Sequence, residues 1–288
     1  MKKHIVLTFI ALISISALSG QRGSKIMTKF KEKAVDFKSK TLLVVLKEEK
    51  KDIDIKYNNY IKKTFESEWD INDSIMYITE KEYKKSYRKD DSKAYFMHKK
   101  GGAPNMMTSA KQLFTLGNCG EKRPVHQYGF DFDEESTLGS VYRQIQKIEQ
   151  LLYTYLEIDP KTMWKRYKEF KENGFDQRDS AESLKNMTLY IDREAVDDDF
   201  KSNLDKIYNY EYKLVTKADI DNAITENNED IAYVEYGVVI DADEGYAFVM
   251  FGGILMNYYF TDTSRLKLKK KDQLLKLEVL KNLAKVIN

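Results

Sequence analysis

Two stretches of this chain follow the same local pattern, and that repetition constrains the fold more than any other feature. The first, "YITEKEYKKSYRKDDSKAYFM", covers residues 77–97, and the second, "LVTKADIDNAITENNEDIAYV", covers residues 214–234. In each, an apolar run ends in Thr, a short polar helical pattern follows, and a charged turn leads to Ala-Tyr and another β-type run. Strand and helix signals that alternate in this way are typical of an α/β domain.

The two Thr residues are predicted helix caps. Thr79 is followed three residues later by Glu82, and Thr216 is followed three residues later by Asp219. A Thr hydroxyl and an acidic side chain at this spacing can each accept a hydrogen bond from an unpaired amide at the start of a helix. We therefore predict structural, helix-capping roles for Thr79, Glu82, Thr216 and Asp219.

The chain reads as two α/β units with a helix between them. Strand and helix signals alternate over residues 41–158 and again over residues 186–288, and residues 159–185 carry a helical pattern that begins "DPKTMWKRY". Each unit is predicted to have the order β-α-β-α-β-β-α, with a mixed sheet packed by helices. The shared order indicates a degenerate tandem repeat, although two unrelated α/β domains would give a similar order.

The amino terminus resembles a secretory signal peptide. Lys2 and Lys3 precede the uncharged apolar stretch "IVLTFIALISISAL", and the small residues of "ALSGQ" follow. This stretch is shorter than the roughly 20 apolar residues that a membrane-spanning helix needs. We expect residues 1–20 to be removed, residues 21–40 to form an amino-terminal lead-in, and the mature protein to be periplasmic or secreted with no integral membrane segment.

Charge and cysteine content limit the partners and the stabilising chemistry. The formal net charge is +2, and removal of the two signal-peptide lysines brings it to zero. A neutral chain is not attracted as a whole to nucleic acid, so no nucleic-acid partner is predicted. Cys119 is the single cysteine, so an internal disulfide is excluded and a free, half-buried thiol is expected.

No motif names a catalytic residue or a cofactor. The chain lacks a Gly-x-Ser-x-Gly nucleophile motif, and "HKKGGAP" at residues 98–104 lacks the Gly-Lys-Ser/Thr ending of a phosphate-binding loop. A pair formed by Cys119 and His126 is conceivable as a nucleophile and base, but it has no recognisable local signature. We predict no cofactor.

The strongest metal candidates are the acidic residues of "DADEG", namely Asp241, Asp243 and Glu244. Carboxylates attract calcium, but this segment lacks the alternating ligands of a calcium loop. It lies between two β-type runs, where Asp and Gly are common turn residues. We therefore predict a hairpin turn here and assign no metal.

The order strand, helix, strand, capped helix and hairpin resembles the anticodon-binding-like fold of cell-envelope proteins. The matching stretches begin "MTLYIDREAVDDDF" at Met187 and "TLLVVLKEEKKDID" at Thr41. The amino-terminal domain of TolB, the periplasmic core of CsgG-type secretion proteins and the lipoprotein activators of cell-wall synthases share this fold. The resemblance implies a non-catalytic module that docks on other envelope proteins.

These observations favour an exported, non-enzymatic binding or assembly protein of the bacterial cell envelope, with envelope proteins as partners. Two alternatives stay open. One is a periplasmic hydrolase that acts on envelope polymers, because the chain contains 46 acidic residues and no particular pair can be singled out or dismissed. The other is a small-ligand receptor that uses a cleft between the units. The sequence does not indicate an oligomeric state.

Overall fold

The computed structural model describes residues 20–100, 112–162, 165, 183–226, 228, 230–240, 245–253, 259–262 and 284. Side chains between 235 and 262 are outside the description. The chain divides into two compact units, the first ending at Glu172 and the second containing Asn173–Asn288. The predicted signal peptide, most of the predicted linker, the "DADEG" turn and the predicted closing helix of the second unit lie outside the described residues.

The first unit contains a five-stranded mixed sheet packed by helices. Its elements follow one another as α1 (Gly20–Lys38), β1 (Thr41–Leu46), α2 (Asp52–Glu68), β2 (Ile75–Thr79), α3 (Glu80–Glu82) with a π-helical turn (Tyr83–Tyr87), β3 (Lys93–Lys100), β4 (Gln112–Asn118), β5 (His126–Gly129) and α4 (Leu138–Glu157). The strand order is β2-β1-β3-β4-β5, with β1 parallel to β2 and β3, and with β4 antiparallel to β3 and β5.

Apolar periodicity explains the helices of this unit. Tyr57, Ile61 and Phe65 recur every four residues on α2, and all three are buried. The apolar residues of α4 that step by three and four are buried in the same way: Val141, Ile145, Ile148, Leu152 and Tyr155. Because such spacing places side chains on one helical face, each helix can cover the sheet with one side and meet solvent with the other.

Helix α1 was not assigned from the sequence, which treated residues 21–40 as a lead-in. Met27, Ala34 and Phe37 of α1 are buried, and the Phe30 ring stacks on Tyr155 of α4 with ring centroids 5.5 Å apart. The helix therefore belongs to the core of the first unit, which begins before residue 41.

A buried asparagine joins the ends of three elements near α1. The Asn72 amide donates to the carbonyl oxygens of Phe37 at 2.7 Å and Lys40 at 3.0 Å, and its oxygen accepts a bond from the Trp69 indole at 3.0 Å. Asn72 is 5% exposed, so these bonds satisfy polar groups that burial would otherwise leave without water.

The second unit also contains a five-stranded mixed sheet. Its elements are β6 (Thr188–Asp192), α5 (Asp198–Asn203), β7 (Tyr212–Val215), α6 (Lys217–Thr225), β8 (Ile231–Ile240), β9 (Gly245–Gly253) and β10 (Tyr259–Asp262). The strand order is β7-β6-β8-β9-β10. Strand β6 is parallel to β7 and β8, and β9 is antiparallel to β8 and β10.

The predicted α/β class, with mixed sheets packed by helices, is confirmed. Each sheet carries one strand more than the four of the predicted order, namely β5 in the first unit and β10 in the second. Among the residues that the structure describes, no helix combines the length and the apolarity needed to cross a bilayer.

Candidate binding site at the carboxyl edge of the first sheet

The carboxyl ends of β1 and β3 form the edge where a ligand is expected in this topology. The chain leaves β1 toward β2 on one side and leaves β3 toward β4 on the other. In open α/β sheets, a crevice opens at the carboxyl ends of adjacent strands whose connections diverge in this way, and ligands bind there. Lys47 directly follows β1, and the pairing of Val45 with Met97 places His98 of β3 beside the end of β1.

An asparagine of α2 fixes the backbone at the end of β1. The Lys47 amide donates to Asn58 Oδ1 at 2.9 Å, and Asn58 Nδ2 donates to the Lys47 carbonyl at 2.9 Å. Asn58 Nδ2 also lies 3.2 Å from Glu49 Oε1. Asn58 is 1% exposed, so this paired contact is protected from water and holds the Lys47 backbone in one orientation.

Aromatic rings surround the side chains at this edge. The Lys47 ammonium lies 4.3 Å from the Tyr57 ring centroid and 5.5 Å from that of Phe132. The Tyr57 ring stacks on the His98 imidazole with centroids 5.2 Å apart, and Phe132 meets Tyr57 edge-on at 5.2 Å. A lysine over aromatic faces is attracted by the negative charge of the ring faces, so the rings partly replace the hydration that burial removes.

The segment that follows β5 closes this edge. The Phe130 carbonyl lies 2.8 Å from His98 Nε2, and the Lys56 ammonium donates to the Glu134 carbonyl at 2.6 Å. Asp131 accepts a bond from the Gln112 amide at 2.8 Å. These contacts bring Phe130 and Phe132 over the carboxyl ends of β1 and β3, although they lie far along the chain from both strands.

Burial determines the protonation of the titratable groups at this edge. It lowers the pKa of His98 to about 4, an effect that the Phe130 carbonyl opposes and the Lys47 charge reinforces. It also lowers the pKa of Lys47, against the attraction of Asp54, and raises the pKa of Tyr57 well above its usual value. At neutral pH His98 and Tyr57 are therefore uncharged. Because a carbonyl only accepts hydrogen bonds, the proton of neutral His98 lies on Nε2.

A second group of titratable side chains joins α4 to the end of α2. Glu149 Oε1 accepts a bond from the Asp70 amide at 3.0 Å, and the Tyr153 hydroxyl donates to the Asp70 carboxylate. Burial, followed by the charge of Asp70 and then that of Glu68, raises the pKa of Glu149 to about 8. Gln146 Nε2 donates to Glu68 Oε2 at 3.2 Å. The arrangement ties two helices together through a carboxyl group that is protonated at neutral pH.

The Cys119–His126 pair is not formed. Cys119 packs with Leu43, Val45 and Tyr83 on one face of the first sheet. His126 pairs in register with Leu116, which lies on the opposite face together with Phe114 and Phe96. Paired residues point to the same side of a sheet, so the sheet itself separates the thiol from the imidazole.

The Cys119 thiol is also poorly suited to act as a nucleophile. It is 2% exposed, so the expectation of a half-buried thiol is corrected to an almost completely buried one. Burial, with the charge of Asp90, raises the pKa of Cys119 to about 11, which leaves the thiol protonated at neutral pH. The thiolate is the reactive form of cysteine, and here it is suppressed.

The helix-capping residues lie where the sequence predicted helix starts. Thr79 Oγ1 accepts a bond from the Glu82 amide at 3.2 Å, and Glu82 Oε2 accepts one from the Thr79 amide at 2.7 Å. Thr216 and Asp219 form the same pair of bonds at 3.2 and 2.9 Å. The metal candidates Asp241, Asp243 and Glu244 lie outside the described residues. Within the described part of the chain, no group of three or more His, Cys, Asp or Glu side chains is placed to hold a metal.

The sequence assigned no site role to Lys47, Tyr57 or Asn58. Tyr57 was placed only on the apolar face of a helix, and His98 was considered only as the start of "HKKGGAP". A signal for Lys47 was present, because a polar residue directly after a buried strand marks the carboxyl edge. Comparison with known proteins found no matching protein-family model, no matching curated protein and no matching solved structure.

Proposed function

We propose that this chain is an exported, non-enzymatic binding or assembly protein of the bacterial cell envelope, built from two copies of one α/β unit. The signal-peptide pattern supports export, and the resemblance to envelope domains supports a docking role. The observation that carries the duplication is the strand order, because numbering the strands of each unit in chain order gives 2-1-3-4-5 in both, with the same strands parallel and antiparallel.

The strand registers agree residue by residue. Leu42 pairs with Ala94 in the first unit, and Leu189 pairs with Ala232 in the second. Leu46 and Arg193 each lie four residues after these leucines and are therefore equivalent. Leu46 pairs with Thr79 in the first unit, and in the second the Arg193 amide donates to the carbonyl oxygen of Val215, the residue before Thr216. Two unrelated α/β domains could share a strand order, but a shared register requires every pairing to match as well.

The cross-strand partners of the Ala-Tyr segments also match. Tyr95 lies opposite Gly117, and Tyr233 lies opposite Gly252. A glycine in a strand interior commonly marks a site where another group approaches closely. In the first unit the approaching group is the Tyr95 ring, which occupies the space that a side chain at 117 would fill. The same pairing in both units supports common ancestry.

Duplication gives each unit an equivalent outer strand, and this supports a binding role. Strand β2 is an edge of the first sheet and β7 is the corresponding edge of the second. By register Met76 corresponds to Lys213, and both side chains are exposed. Edge strands present unpaired backbone groups, to which a partner can add a strand. We therefore propose that the protein holds envelope partners through the edges of its two sheets.

The experiment introduces a photo-crosslinking amino acid at Met76 or Lys213 in the full-length chain, expressed in a Gram-negative host. Lys50, whose side chain is 76% exposed in the loop after β1, is the matched control position. We expect both edge positions, but not position 50, to crosslink to envelope proteins identified by mass spectrometry. If both edges crosslink no more than position 50 does, docking through the edges is contradicted.

Export is measured on the same cells. Intact mass of the periplasmic fraction is expected to give a chain that begins between Ser19 and Gln21. A full-length mass, or recovery only with the inner membrane, would mean that the apolar amino-terminal run is an anchor and would contradict export as a free protein. This arm is independent of crosslinking, so the two parts of the proposal can fail separately.

A further inference from the structure

Two neighbouring turns of the first unit carry five exposed basic side chains. Lys85 lies in the π-helical turn, Arg88 and Lys89 follow that turn, and Lys122 and Arg123 lie in the loop between β4 and β5. Among the residues that the structure describes, none of these five side chains forms an ion pair. We refer to the five residues as the basic face.

Backbone contacts hold the two turns against each other. The Gly120 amide donates to the Arg88 carbonyl at 2.9 Å, and the Cys119 amide donates to the Lys93 carbonyl at 2.9 Å. A Cβ atom at Gly120 would lie 3.8 Å from the carbonyl oxygen of Lys89. The basic residues of both turns therefore belong to one surface, although the two groups lie far apart along the chain.

Nearby acidic residues offset this charge only in part. Glu121 forms an ion pair with Lys33, and Lys33 also donates to the Arg123 carbonyl at 2.9 Å. Lys33 thus neutralises the acidic residue of the β4–β5 loop and fixes that loop to α1. The acidic residues that remain in the two turns are Asp90 and Asp91. Five basic side chains against two aspartates leave the basic face positively charged.

The neutrality of the mature chain does not cancel a local charge of this kind. Exposed charges act over a Debye length, which is about 8 Å at physiological ionic strength. Acidic residues elsewhere on the chain are screened beyond that distance. The basic face therefore attracts an anionic partner locally, even though the chain as a whole does not.

The composition of the basic face indicates which kind of anionic partner fits it. In the described part of the chain, the large apolar side chains that are exposed are Val35, Ile55 and Met76, and none of them lies in the two turns. Protein–protein interfaces have an apolar centre and are depleted in lysine. A group of basic side chains without an apolar centre is better matched to a partner that is itself a layer of negative charge.

We propose that the basic face binds the anionic phospholipid headgroups of a membrane surface. Lysine and arginine side chains next to such a surface are attracted by its negative potential, and their contributions accumulate. The contact needs no segment inserted into the bilayer. It goes beyond the proposed docking of proteins on the sheet edges, and it uses different residues. Binding to vesicles in solution does not depend on export, so the two proposals can fail separately.

Co-sedimentation of the protein without its signal peptide with lipid vesicles tests the proposal. One set of vesicles contains phosphatidylcholine with about 30% phosphatidylglycerol, which is anionic, and the other contains phosphatidylcholine alone. We expect binding to the anionic vesicles at about 50 mM salt, little binding to the neutral vesicles, and loss of binding at about 300 mM salt. No binding to the anionic vesicles, or equal binding to both sets, overturns the proposal.

Paired substitutions distinguish the basic face from general surface charge. Arg88→Gln with Lys89→Gln should weaken binding to anionic vesicles by at least about tenfold, since each lost charge costs about fivefold. Lys50→Gln with Lys51→Gln is the matched control, because it removes the same charge from exposed positions in the loop after β1. This control should keep the wild-type affinity. Equal losses in both variants would mean that binding reflects net charge, and the proposed face would be wrong.

The other turn provides an independent pair. Lys122→Gln with Arg123→Gln should weaken vesicle binding to a similar extent, because both turns belong to the same face. The side chains of both pairs are exposed, so the unfolding midpoints should stay at the wild-type value. Full vesicle affinity in this second pair, in a protein with an unchanged midpoint, would contradict a face formed by both turns.

Duplex DNA separates a membrane surface from a charged polymer as the partner. It is added to the vesicle-bound protein at the same phosphate concentration as the anionic lipid. We expect most of the protein to stay on the vesicles, because a planar layer of headgroups can meet both turns at once. Release of most of the protein would show that the basic face prefers a polymer, and the membrane proposal would be wrong.

Discussion

Glu149 makes the stability of the first unit depend on pH between about 4.5 and 8. Its pKa is raised from an ordinary value of 4.5 to about 8 in the folded chain. Between these values the folded state binds more protons than the unfolded state, so the free energy of unfolding falls as pH rises. In Glu149→Gln this loss should be absent. Urea unfolding at pH 5, 7 and 9 measures the difference in slope.

The control for that measurement is Glu157→Gln, which removes a carboxylate from the same helix at an exposed position. This variant should keep the wild-type slope. If Glu149→Gln also keeps the wild-type slope, the Glu149 carboxyl is ionised in the folded protein at neutral pH, and its pKa is not raised.

His126 contributes a pH dependence of opposite sign, in a pH range that overlaps that of Glu149. Burial lowers its pKa from 6.5 to about 4 in the folded chain. Between pH 6.5 and about 4 the unfolded chain binds the additional proton, so the free energy of unfolding falls as pH decreases. His126→Gln should reduce the slope of the free energy of unfolding against pH in this range by the equivalent of up to one proton. The contribution of His98 to that slope should remain. An unchanged slope in urea unfolding would show that folded His126 is charged.

At the scale of single residues, the sequence identified side chains that contact near neighbours in the chain. It did not identify side chains that come into contact only when distant segments fold together. Thr79 and Glu82 lie three residues apart, so their bonds could be predicted from spacing. Lys47 and Phe132 are brought together only when the segment after β5 folds over the edge of the sheet. No local pattern encodes that contact, so the carboxyl-edge site had to come from the structure.

Among the elements, strand β4 depends on a glycine. A Cβ atom at Gly117 would lie 2.7 Å from the Tyr95 hydroxyl and 2.8 Å from two ring carbons. Tyr95 cannot retreat freely, because its ring packs against Tyr83 with centroids 5.4 Å apart. Gly117→Ala should therefore destabilise the protein by about 1–3 kcal/mol, as overpacking of a core does.

A double-mutant cycle checks this cause. In a Tyr95→Leu background, the smaller side chain should leave room, and Gly117→Ala should cost much less. Chemical denaturation of the four proteins gives the coupling energy. Equal costs of Gly117→Ala in both backgrounds would mean that backbone strain, not the ring, is responsible.

The sequence predicted most elements of the first unit, and the exceptions have physical explanations. Helices α2 and α4 carry long apolar periods, and they were identified for that reason. Helix α1 was missed although Met27, Ala34 and Phe37 recur at helical spacing, because the pattern directly follows the predicted signal peptide and contains eight charged residues among the nineteen of "GQRGSKIMTKFKEKAVDFK". Strand β10, at Tyr259–Asp262, is too short to stand out by alternation.

For the molecule as a whole, the two capping boxes should contribute separately. Thr79→Ala and Thr216→Ala each remove the acceptor for a helix-start amide, and each should cost about 0.5–2 kcal/mol. Because the two boxes belong to different units, the double variant should lose the sum of the two costs. Thr→Ser at each site keeps the hydroxyl and should cost much less.

Denaturant unfolding of the single and double variants measures these terms. A double variant that loses clearly more or less than the sum would mean that the two helix starts are energetically coupled. That outcome would favour one cooperative body over two units that are stabilised independently. The sequence predicted both capping boxes because each is formed by residues within a four-residue segment. The matching strand registers that support duplication can be seen only in the paired strands of the structure.

The buried cysteine gives this protein a built-in reporter of motion. Cys119 is the single thiol of the chain and is 2% exposed within the first unit, so a thiol-specific reagent can reach it only when that unit opens. Under conditions where closing outpaces alkylation, the labelling rate gives the equilibrium population of the open form. We expect labelling of the native chain to be slower than that of the urea-unfolded chain by several orders of magnitude, and Gly117→Ala to accelerate it. Destabilising the second unit with Thr216→Ala should leave the rate unchanged, so one intrinsic atom separates opening of the first unit from that of the second.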